Sequence, residues 1–327
     1  MKAKMKLFVL FAIVGLCSCS NDLDIAESVA DKQDGIEVPI IFSGDIQQSE
    51  DIMTRAANST NDLLGIQIYR RTAGSTGSWT AFAYGLYDHL DNLSVYLQMG
   101  YEYKAVATLV KKGKEVLYDG GNGDYGNKHP FYYSNRVCNV RASNKLAIET
   151  NYSMSYLANV RTTLAGSSSD VSSYPQVDRL YGEVEGIIPT DNTSINLALK
   201  RVSFGLSCSV NGLEEGTLSV KVKKSDKTFF DLTDVGNGYS TPTNFYTFTN
   251  MISGAYEHLN SYYETLTVSV THKHSIINIS EELGTVDVKV YRNKVNNIKI
   301  NLNATTTRSA SHGNNEMNVI VERENIE

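Results

Sequence analysis

Cysteine, proline and tryptophan are scarce in this chain of 327 residues, which contains four, five and one of them. Only two cysteines, Cys138 and Cys208, lie beyond the N-terminal segment. They are far apart, within strand-like segments, and are predicted to be small buried hydrophobic side chains. The alternative is that they form a disulfide, if the protein is in an oxidising compartment. The chain is long enough to form its core without disulfides.

Basic residues are fewer than acidic residues in this chain. The net charge at pH 7 is −6, and the charges are spread without a basic patch. Nucleic acid is therefore excluded as a partner. Beyond the N-terminal segment, no apolar run is long enough to cross a bilayer as a helix.

Motifs for catalysis are absent from the sequence. There is no G-x-S-x-G, no H-E-x-x-H and no cysteine–histidine pairing with supporting context. The loop Gly120–Gly126 is not followed by a helix pattern, so it is predicted to be a turn rather than a phosphate site. The glutamate pairs Glu214-Glu215 and Glu281-Glu282 flank turns and are predicted to be solvated rather than glycosidase carboxylates. We therefore predict no catalytic residues, no cofactor and no enzymatic activity.

One histidine pair stands out. His272 and His274 continue the alternation of Leu266, Val268 and Val270, so both imidazoles share one face of a strand. Two ligands on one strand can begin a zinc site. The sequence places no third ligand, and the pattern favours a strand that runs out of the core into a polar end. No metal site is predicted.

The N-terminus carries a secretion signal. A short basic start precedes the unbroken apolar run Leu7–Leu16, which is too short to span a bilayer. The sequence Leu16-Cys17-Ser18-Cys19 resembles the lipobox of bacterial lipoproteins, in which the chain is cut before the modified cysteine. We predict that residues 1–18 are removed and that Cys19 is acylated. A plain signal peptide is the alternative, and Cys17 is disfavoured as the modified residue because bulky Leu16 precedes it.

Strand signals fill the rest of the chain. Residues 19–35 have no strong period and are predicted to be a tether between lipid and fold. Short segments of alternating apolar residues follow, separated by turn signals such as Asn211-Gly212. The high usage of tyrosine, threonine, valine and isoleucine also favours strands. The pattern predicts an all-β fold built from β-sandwiches.

Two segments have features that bear on the topology. In Ile36–Ser43 every second residue is apolar, and Pro39 cannot donate to a ladder, which predicts an edge strand or one that can be dispensed with. A long polar loop that contains Arg55 follows this segment. Near Lys200-Arg201 the alternation slips by one residue, so the chain must bulge or change sheet there.

Several short motifs occur in a recognisable order. The acylated Cys19 and its tether precede a strand of the form I-x-V-x-I-x-F, and Thr54-Arg55-Ala56 precedes Asn61–Ile66. Ile195–Val202 and Tyr291-Arg292-Asn293 follow later. In this order the motifs resemble those of the fimbrillin superfamily of Bacteroidales, the subunits of lipoprotein-derived pili. The resemblance extends over most of the mature chain.

The resemblance implies two transthyretin-like β-sandwich domains, expected over residues 36–190 and 191–327. It implies that an arginine-specific protease cuts between Arg55 and Ala56, so that the lipidated strand Ile36–Ser43 leaves. A strand from another subunit then fills the open groove. The candidate donor residues are Met317, Val319 and Val321. Their segment is shorter and more charged than an ideal donor, and its alternative role is the last strand of its own sandwich.

Together these expectations describe a surface-exposed lipoprotein of the outer membrane that acts as a structural or adhesive subunit of a fimbria. Its expected partners are other fimbrial subunits, the outer membrane through a palmitate-type lipid anchor, and a host or bacterial surface ligand. Two alternatives stay open, a surface glycan-binding β-sandwich lipoprotein and a non-polymerising fimbrial anchor or accessory protein. A mature N-terminus at Ala56 indicates polymerisation, whereas acylated Cys19 indicates a static surface protein.

Overall fold

The computed structural model describes residues 35–45, 62–113, 132–133, 136–137, 144–148, 176–249, 255–258, 261–275, 279–303 and 316–326. All of these belong to one compact unit, Asp31–Glu327. Cys19, Arg55 and Ala56 lie outside the described residues, so their predicted roles stay predictions.

Strands dominate the described residues, as the alternation of apolar and polar side chains predicts. In chain order they are β1 (Gly35–Gly44), β2 (Leu63–Thr72), β3 (Thr80–Tyr87), β4 (Leu93–Gln98), β5 (Tyr101–Val110), β6 (Tyr132–Tyr133), β7 (Arg136–Val137), β8 (Ala147–Ile148), β9 (Arg179–Ile187), β10 (Ile195–Arg201), β11 (Ser203–Asn211), β12 (Thr217–Lys224), β13 (Lys227–Val235), β14 (Asn244–Thr247), β15 (Tyr263–Lys273), β16 (Ser280–Tyr291), β17 (Lys294–Asn303) and β18 (Glu316–Asn325). The all-β prediction is confirmed. Within the described ranges, no helix combines the length and apolar character that crossing a membrane requires.

Eight strands form one sheet in the order β4-β1-β10-β9-β5-β2-β3-β8. Strands near opposite ends of this order contribute to the same core, since Leu97 of β4 and Phe82 of β3 belong to one buried cluster. Val38, Ile66 and Leu197 from the strands between them complete it. The sheet therefore folds over on itself into the two layers of a sandwich.

Two four-stranded sheets form the C-terminal sandwich, in the orders β14-β11-β17-β18 and β13-β12-β15-β16. Their inward faces bury Leu206, Val220 and Ile298 in a second core cluster. Leu63 and Tyr181, from the first sheet, belong to the same cluster. The two sandwiches therefore share packed apolar surface.

The slip in alternation near Arg201 marks a change of sheet. β10 ends at Arg201 in the first sheet, and β11 begins at Ser203 in the second sandwich. Val202, between them, is buried, and its amide donates to the Arg179 carbonyl oxygen at 2.9 Å. Of the two alternatives drawn from the sequence, a bulge or a change of sheet, the chain takes the second.

The division into domains at residue 190 stays a prediction. β10 follows that position, yet it pairs with β1 and β9 of the first sheet.

Candidate functional site: strand β1 and the arginine pair at its end

β1 has partners on both sides, each over about half of its length. Its first half pairs antiparallel with β4, its second half pairs parallel with β10, and Ile40 is paired with both. Val38 and Ile40 are buried, while Ile36 and Phe42 are half-buried against the same core. Loss of β1 would therefore open an apolar groove between β4 and β10.

Pro39 fits this arrangement. It lies opposite Ser94 in the half that pairs with β4, and the pairing with β10 begins at the next residue, Ile40. Its missing N–H is therefore not needed for the β10 ladder. The prediction of an edge strand is wrong, because β1 lies inside the sheet order between two other strands. The other alternative, a strand that can be dispensed with, stays a prediction.

Gly44 ends β1 in a conformation that favours glycine. Its φ is +95°, and a Cβ atom there would lie 2.5 Å from the carbonyl oxygen of Leu199. The next residue, Asp45, lies close to the end of β10, where its Oδ2 accepts a hydrogen bond from the Arg201 amide at 2.8 Å. Because the backbone at Gly44 passes close to Leu199 of β10, the carboxylate of Asp45 lies at the end of β1 beside the end of β10.

Two buried arginines, Arg201 and Arg292, are named here the arginine pair. Arg292 binds this carboxylate with its guanidinium group, whereas Arg201 contacts it only through its backbone amide. Arg292 donates from both terminal nitrogens to Asp45 Oδ2, each at 3.1 Å. Its side chain is 1% exposed, and that of Asp45 is 19% exposed. Arg292 also donates to the carbonyl oxygen of Arg201. Such charge-assisted hydrogen bonds are among the stronger polar contacts in proteins.

Arg201 extends the network to the last strand. Its Nη1 donates to Asn293 Oδ1 at 3.2 Å and to the carbonyl oxygen of Ile326, just after β18, at 3.1 Å. Its Nε lies 3.2 Å from Asp178 Oδ1. The end of β1 and the end of β18 therefore contact the same guanidinium cluster.

Each member of the arginine pair lies beside a carboxylate, Arg292 beside Asp45 and Arg201 beside Asp178. Burial lowers the pKa of Arg292, the charge of Asp45 acts to raise it, and the neighbouring Arg201 lowers it further. Guanidinium groups stay charged at neutral pH even so. Breaking a buried ion pair by removing one partner commonly costs about 3–5 kcal/mol. Because the Asp45 side chain is 19% exposed, its contribution to holding the end of β1 in place is smaller than that of a fully buried partner.

Sequence reasoning did not identify the arginine pair. One signal was present, since Arg201 carries charge into an apolar alternation at the point where the phase slips. Arg292 was noted only as part of a family motif. Asp45 and Arg292 are 247 positions apart in the chain, so no local pattern relates them.

The histidine pair lies at one end of the C-terminal sandwich beside two glutamates. His272 is buried and its Nε2 lies 2.8 Å from the Glu215 carbonyl oxygen. The ring of His274 contacts the carboxylates of Glu215 and Glu281 at 3.3 and 3.4 Å. The glutamates predicted to be only solvated therefore contact a histidine. Among the residues that the structure describes, no group of three or more such side chains is placed to hold a metal ion.

The donor-strand candidates are paired within their own chain. β18 pairs antiparallel with β17 over its whole length and forms the edge of its sheet. Met317, Val319 and Val321 are half-buried and pack against the second core cluster. The alternative that the sequence left open, the last strand of its own sandwich, describes this structure. Donation of β18 to a neighbouring subunit stays a prediction.

Cys208 is buried, as predicted, and has a free thiol. Burial raises the pKa of the Cys208 thiol to about 12, which makes it a small apolar side chain at neutral pH. Cys138, its candidate partner in a disulfide, lies outside the described residues.

Solved structures provide the matches to known proteins. No family model and no curated protein matches this chain. A candidate cell adhesion protein from Bacteroides eggerthii aligns over 89% of this chain and 96% of its own, with 13% identity and a TM-score of 0.39. The fimbrial anchor protein Mfa2 from Porphyromonas gingivalis aligns over 89% and 97%, with 12% identity and a TM-score of 0.34. A fimbrial assembly protein from Parabacteroides distasonis aligns over 89% and 96%, with 13% identity and a TM-score of 0.29.

The identities of these three alignments are 12–13%, and their TM-scores are 0.29–0.39. The function of this chain is therefore inferred from β1, from the groove that β1 fills and from the arginine pair.

Proposed function

We propose that this chain is a surface lipoprotein of a bacterial fimbria, a structural or adhesive subunit whose β1 is replaced by a strand from another subunit. Proteolysis between Arg55 and Ala56 would separate β1 from the body of the protein. Cys19 would carry the lipid that takes the uncut subunit to the outer membrane. The proposal includes no catalytic step and no cofactor.

The observation that carries the proposal is the placement of β1. This strand fills a position between β4 and β10, with Val38 and Ile40 buried. It is also the first described strand, and the next one, β2, begins only at Leu63. A single cut between the two strands would leave β1 held by non-covalent contacts alone.

The energetics of the groove explain why a replacement strand is needed. At about 25 cal/mol per Å² of apolar area, burial of the apolar face of β1 contributes several kcal/mol. Loss of β1 would also leave the backbone N–H and C=O groups of β4 and β10 that pair with β1 without their partner strand. An open edge of this kind binds any extended segment with matching alternation. The subunit is therefore expected to remain stable only when the position is filled.

The names of the structural neighbours support a fimbria-associated surface role in coarser terms. Other fimbrial components are then the natural partners of this chain. A host or bacterial surface ligand is a further partner in an adhesive role.

A second candidate function is a non-polymerising fimbrial anchor or accessory protein. The pairing of β18 with β17 over ten positions, from Lys294↔Asn325 to Asn303↔Glu316, favours it, because a strand so paired must leave its own sheet before it can be donated. Such a protein would keep β1 and its lipid.

The mature N-terminus and the assembly state test the proposal together. Protein extracted from the native cell surface in mild detergent is sized and sequenced from its N-terminus. We expect high-molecular-weight species that begin at Ala56. An Arg55→Lys variant, which keeps the charge but is not a substrate for an arginine-specific protease, is expected to stay uncut and monomeric.

Uncut monomer with acylated Cys19 in the wild-type protein would instead favour the anchor function. Polymers formed equally by the Arg55→Lys variant would contradict cut-dependent assembly.

A further inference from the structure

Two tyrosines and two cations form a cluster on the C-terminal sandwich. Tyr263 begins β15 and Tyr291 ends β16, and the two residues lie directly opposite each other in the ladder. Their ring centroids are 5.3 Å apart. Lys289 Nζ lies 4.4 Å from the centroid of the Tyr263 ring, and the guanidinium carbon of Arg323 lies 4.8 Å from that of the Tyr291 ring. These four residues are named here the tyrosine–cation cluster.

The two-residue period of the strands explains how the cluster forms. The inward positions of β15 and β16 are taken by buried side chains, so Tyr263, Lys289 and Tyr291 lie on the outer face of their sheet. Arg323 continues the inward-facing positions of β18, and its side chain therefore points towards the facing sheet. Its Nη2 donates a hydrogen bond to the Lys289 carbonyl oxygen at 3.3 Å, on the edge strand β16.

The two cations of the cluster have no carboxylate partner among the described residues. Glu322 and Glu324 flank Arg323 in the chain, but neighbouring side chains of a strand point to opposite faces. Asp287 lies on the same face of β16 as Lys289, where it accepts a hydrogen bond from a threonine of β15 at 3.0 Å. Two positive charges thus stand together without neutralisation in a protein whose net charge is −6.

The chemistry of the cluster matches that of an acidic sugar. The Tyr263 side chain is 42% exposed, and a tyrosine offers an apolar ring and a hydroxyl to the same ligand. A guanidinium group binds carboxylate and sulfate in a fork of two hydrogen bonds, and an ammonium adds a point charge. Ligand sites commonly combine aromatic surface with a few polar groups that fix orientation. A sugar ring with one anionic group requires both parts.

We propose that the tyrosine–cation cluster is a binding subsite for an acidic saccharide, a sugar that carries a carboxylate or a sulfate. The tyrosines contact the sugar ring, and Lys289 and Arg323 bind the anionic group. The subsite goes beyond the proposed fimbrial role, because it depends neither on a cut at Arg55 nor on replacement of β1. It requires β18 in its own sheet, as the structure has it.

Calorimetric titration of the uncut mature chain tests the class of ligand. The probes are tetragalacturonate, a sulfated chondroitin tetrasaccharide, a neutral galactose tetrasaccharide and a tetraglutamate peptide. We expect at least one acidic saccharide to bind about tenfold more tightly than the neutral one, because an ionised group accepts charge-assisted hydrogen bonds. The tighter of the two acidic probes identifies the anion. Equal binding of the neutral saccharide, or equally tight binding of the peptide, would overturn the proposal.

Two lysine variants test whether the binding is local. Lys289→Gln is expected to weaken binding of the acidic saccharide by about fivefold or more, since a charged hydrogen-bond donor is lost. Lys273→Gln is the matched control, because Lys273 is an exposed lysine at the other end of β15 and on the same face. We expect it to change the affinity by less than about twofold, because salt screens charges at that distance. Equal losses would indicate general charge attraction and overturn the subsite.

The contribution of the aromatic ring is measured at Tyr263. Tyr263→Ala removes the ring and is expected to weaken binding by about fivefold, whereas Tyr263→Phe keeps the ring and is expected to stay within about twofold of the wild type. An unchanged affinity of Tyr263→Ala would contradict contact between this ring and the sugar.

Arg323 needs a measurement that separates binding from folding, because it also bridges β18 and β16. In Arg323→Gln both the affinity for the acidic saccharide and the melting temperature are measured, with the titration at a temperature where the variant is folded. We expect the affinity to fall by about fivefold or more. A lower melting temperature with unchanged affinity would assign Arg323 to the sandwich alone and remove it from the subsite.

Discussion

Ile40 and Ile41 are adjacent side chains of the same chemistry that β1 places on opposite faces. Ile40 is 5% exposed in the core between β4 and β10, and Ile41 is 50% exposed. Successive side chains of a strand point to opposite faces of the sheet. The two positions therefore provide a matched test of what β1 contributes through its buried face.

We predict that Ile40→Ala lowers the free energy of unfolding by about 2–5 kcal/mol, because it removes buried methyl groups and leaves a cavity. Ile41→Ala should change it by less than about 0.5 kcal/mol, since the side chain is largely in water. Urea unfolding of the full mature chain, compared at fixed slope, gives both values. Similar losses from the two variants would mean that β1 does not seat its inner face in the core as described.

At the scale of elements, β1 and β18 are alike in pattern and different in setting. β1 is held by two strands, each along half of its length. Among the described strands, β18 pairs with β17 alone and lies at the edge of its sheet. A β18 segment that moved into the β1 position of another subunit would give up one partner strand and gain parts of two. Such an exchange would therefore be close to balanced in ladder pairing.

Deletion of residues 316–327 measures what β18 contributes to its own sandwich. Its three inward side chains are half-buried against the core, which corresponds to about 3 kcal/mol of apolar burial. For a chain of this size we expect the melting temperature to fall on the order of 10 °C. Thermal unfolding of the uncut monomer is the measurement. An unchanged melting temperature would show that β18 adds nothing to its own fold and is free to leave.

At the scale of the whole molecule, the sequence predicts a lipid attachment signal and a polar tether ahead of the body that the two sandwiches form. If the lipid is carried by the segment before Arg55, then proteolysis releases the body from the membrane in the same step that opens the groove. Anchoring and assembly would thus be alternatives, separated by one peptide bond.

Lipidation at Cys19 is open to a direct test. A Cys19→Ala variant should lose labelling by a fatty-acid probe and accumulate as an unprocessed precursor, because the signal peptidase of lipoproteins requires the modified cysteine. Cys17→Ala, the matched control two residues away, should keep its label. Loss of label from Cys17→Ala alone would move the modification site to Cys17.

The candidate site was predictable in part. The alternation in Ile36–Ser43 and its proline indicated an unusual strand, and the tail over Met317–Val321 was recognised as a strand of matching pattern. What the strand pairs with was not predictable, because ladder partners such as β10 come from distant parts of the chain. The arginine pair was missed for the same reason. Buried charge partners are close in the folded structure but far apart in the chain, so no local sequence pattern relates them.

The sequence by itself determined the all-β class, the inward face of most strands and a break in the alternation near Arg201. These follow from the two-residue period of a strand, which is a local property. Only the tertiary structure decided that β1 lies between β4 and β10 and that β18 pairs with β17 of the same chain. It also decided that Asp45 contacts Arg292, which is 247 positions away in the chain. Such contacts depend on how the sheets close around two cores, because the packing of many residues together selects the register of each strand.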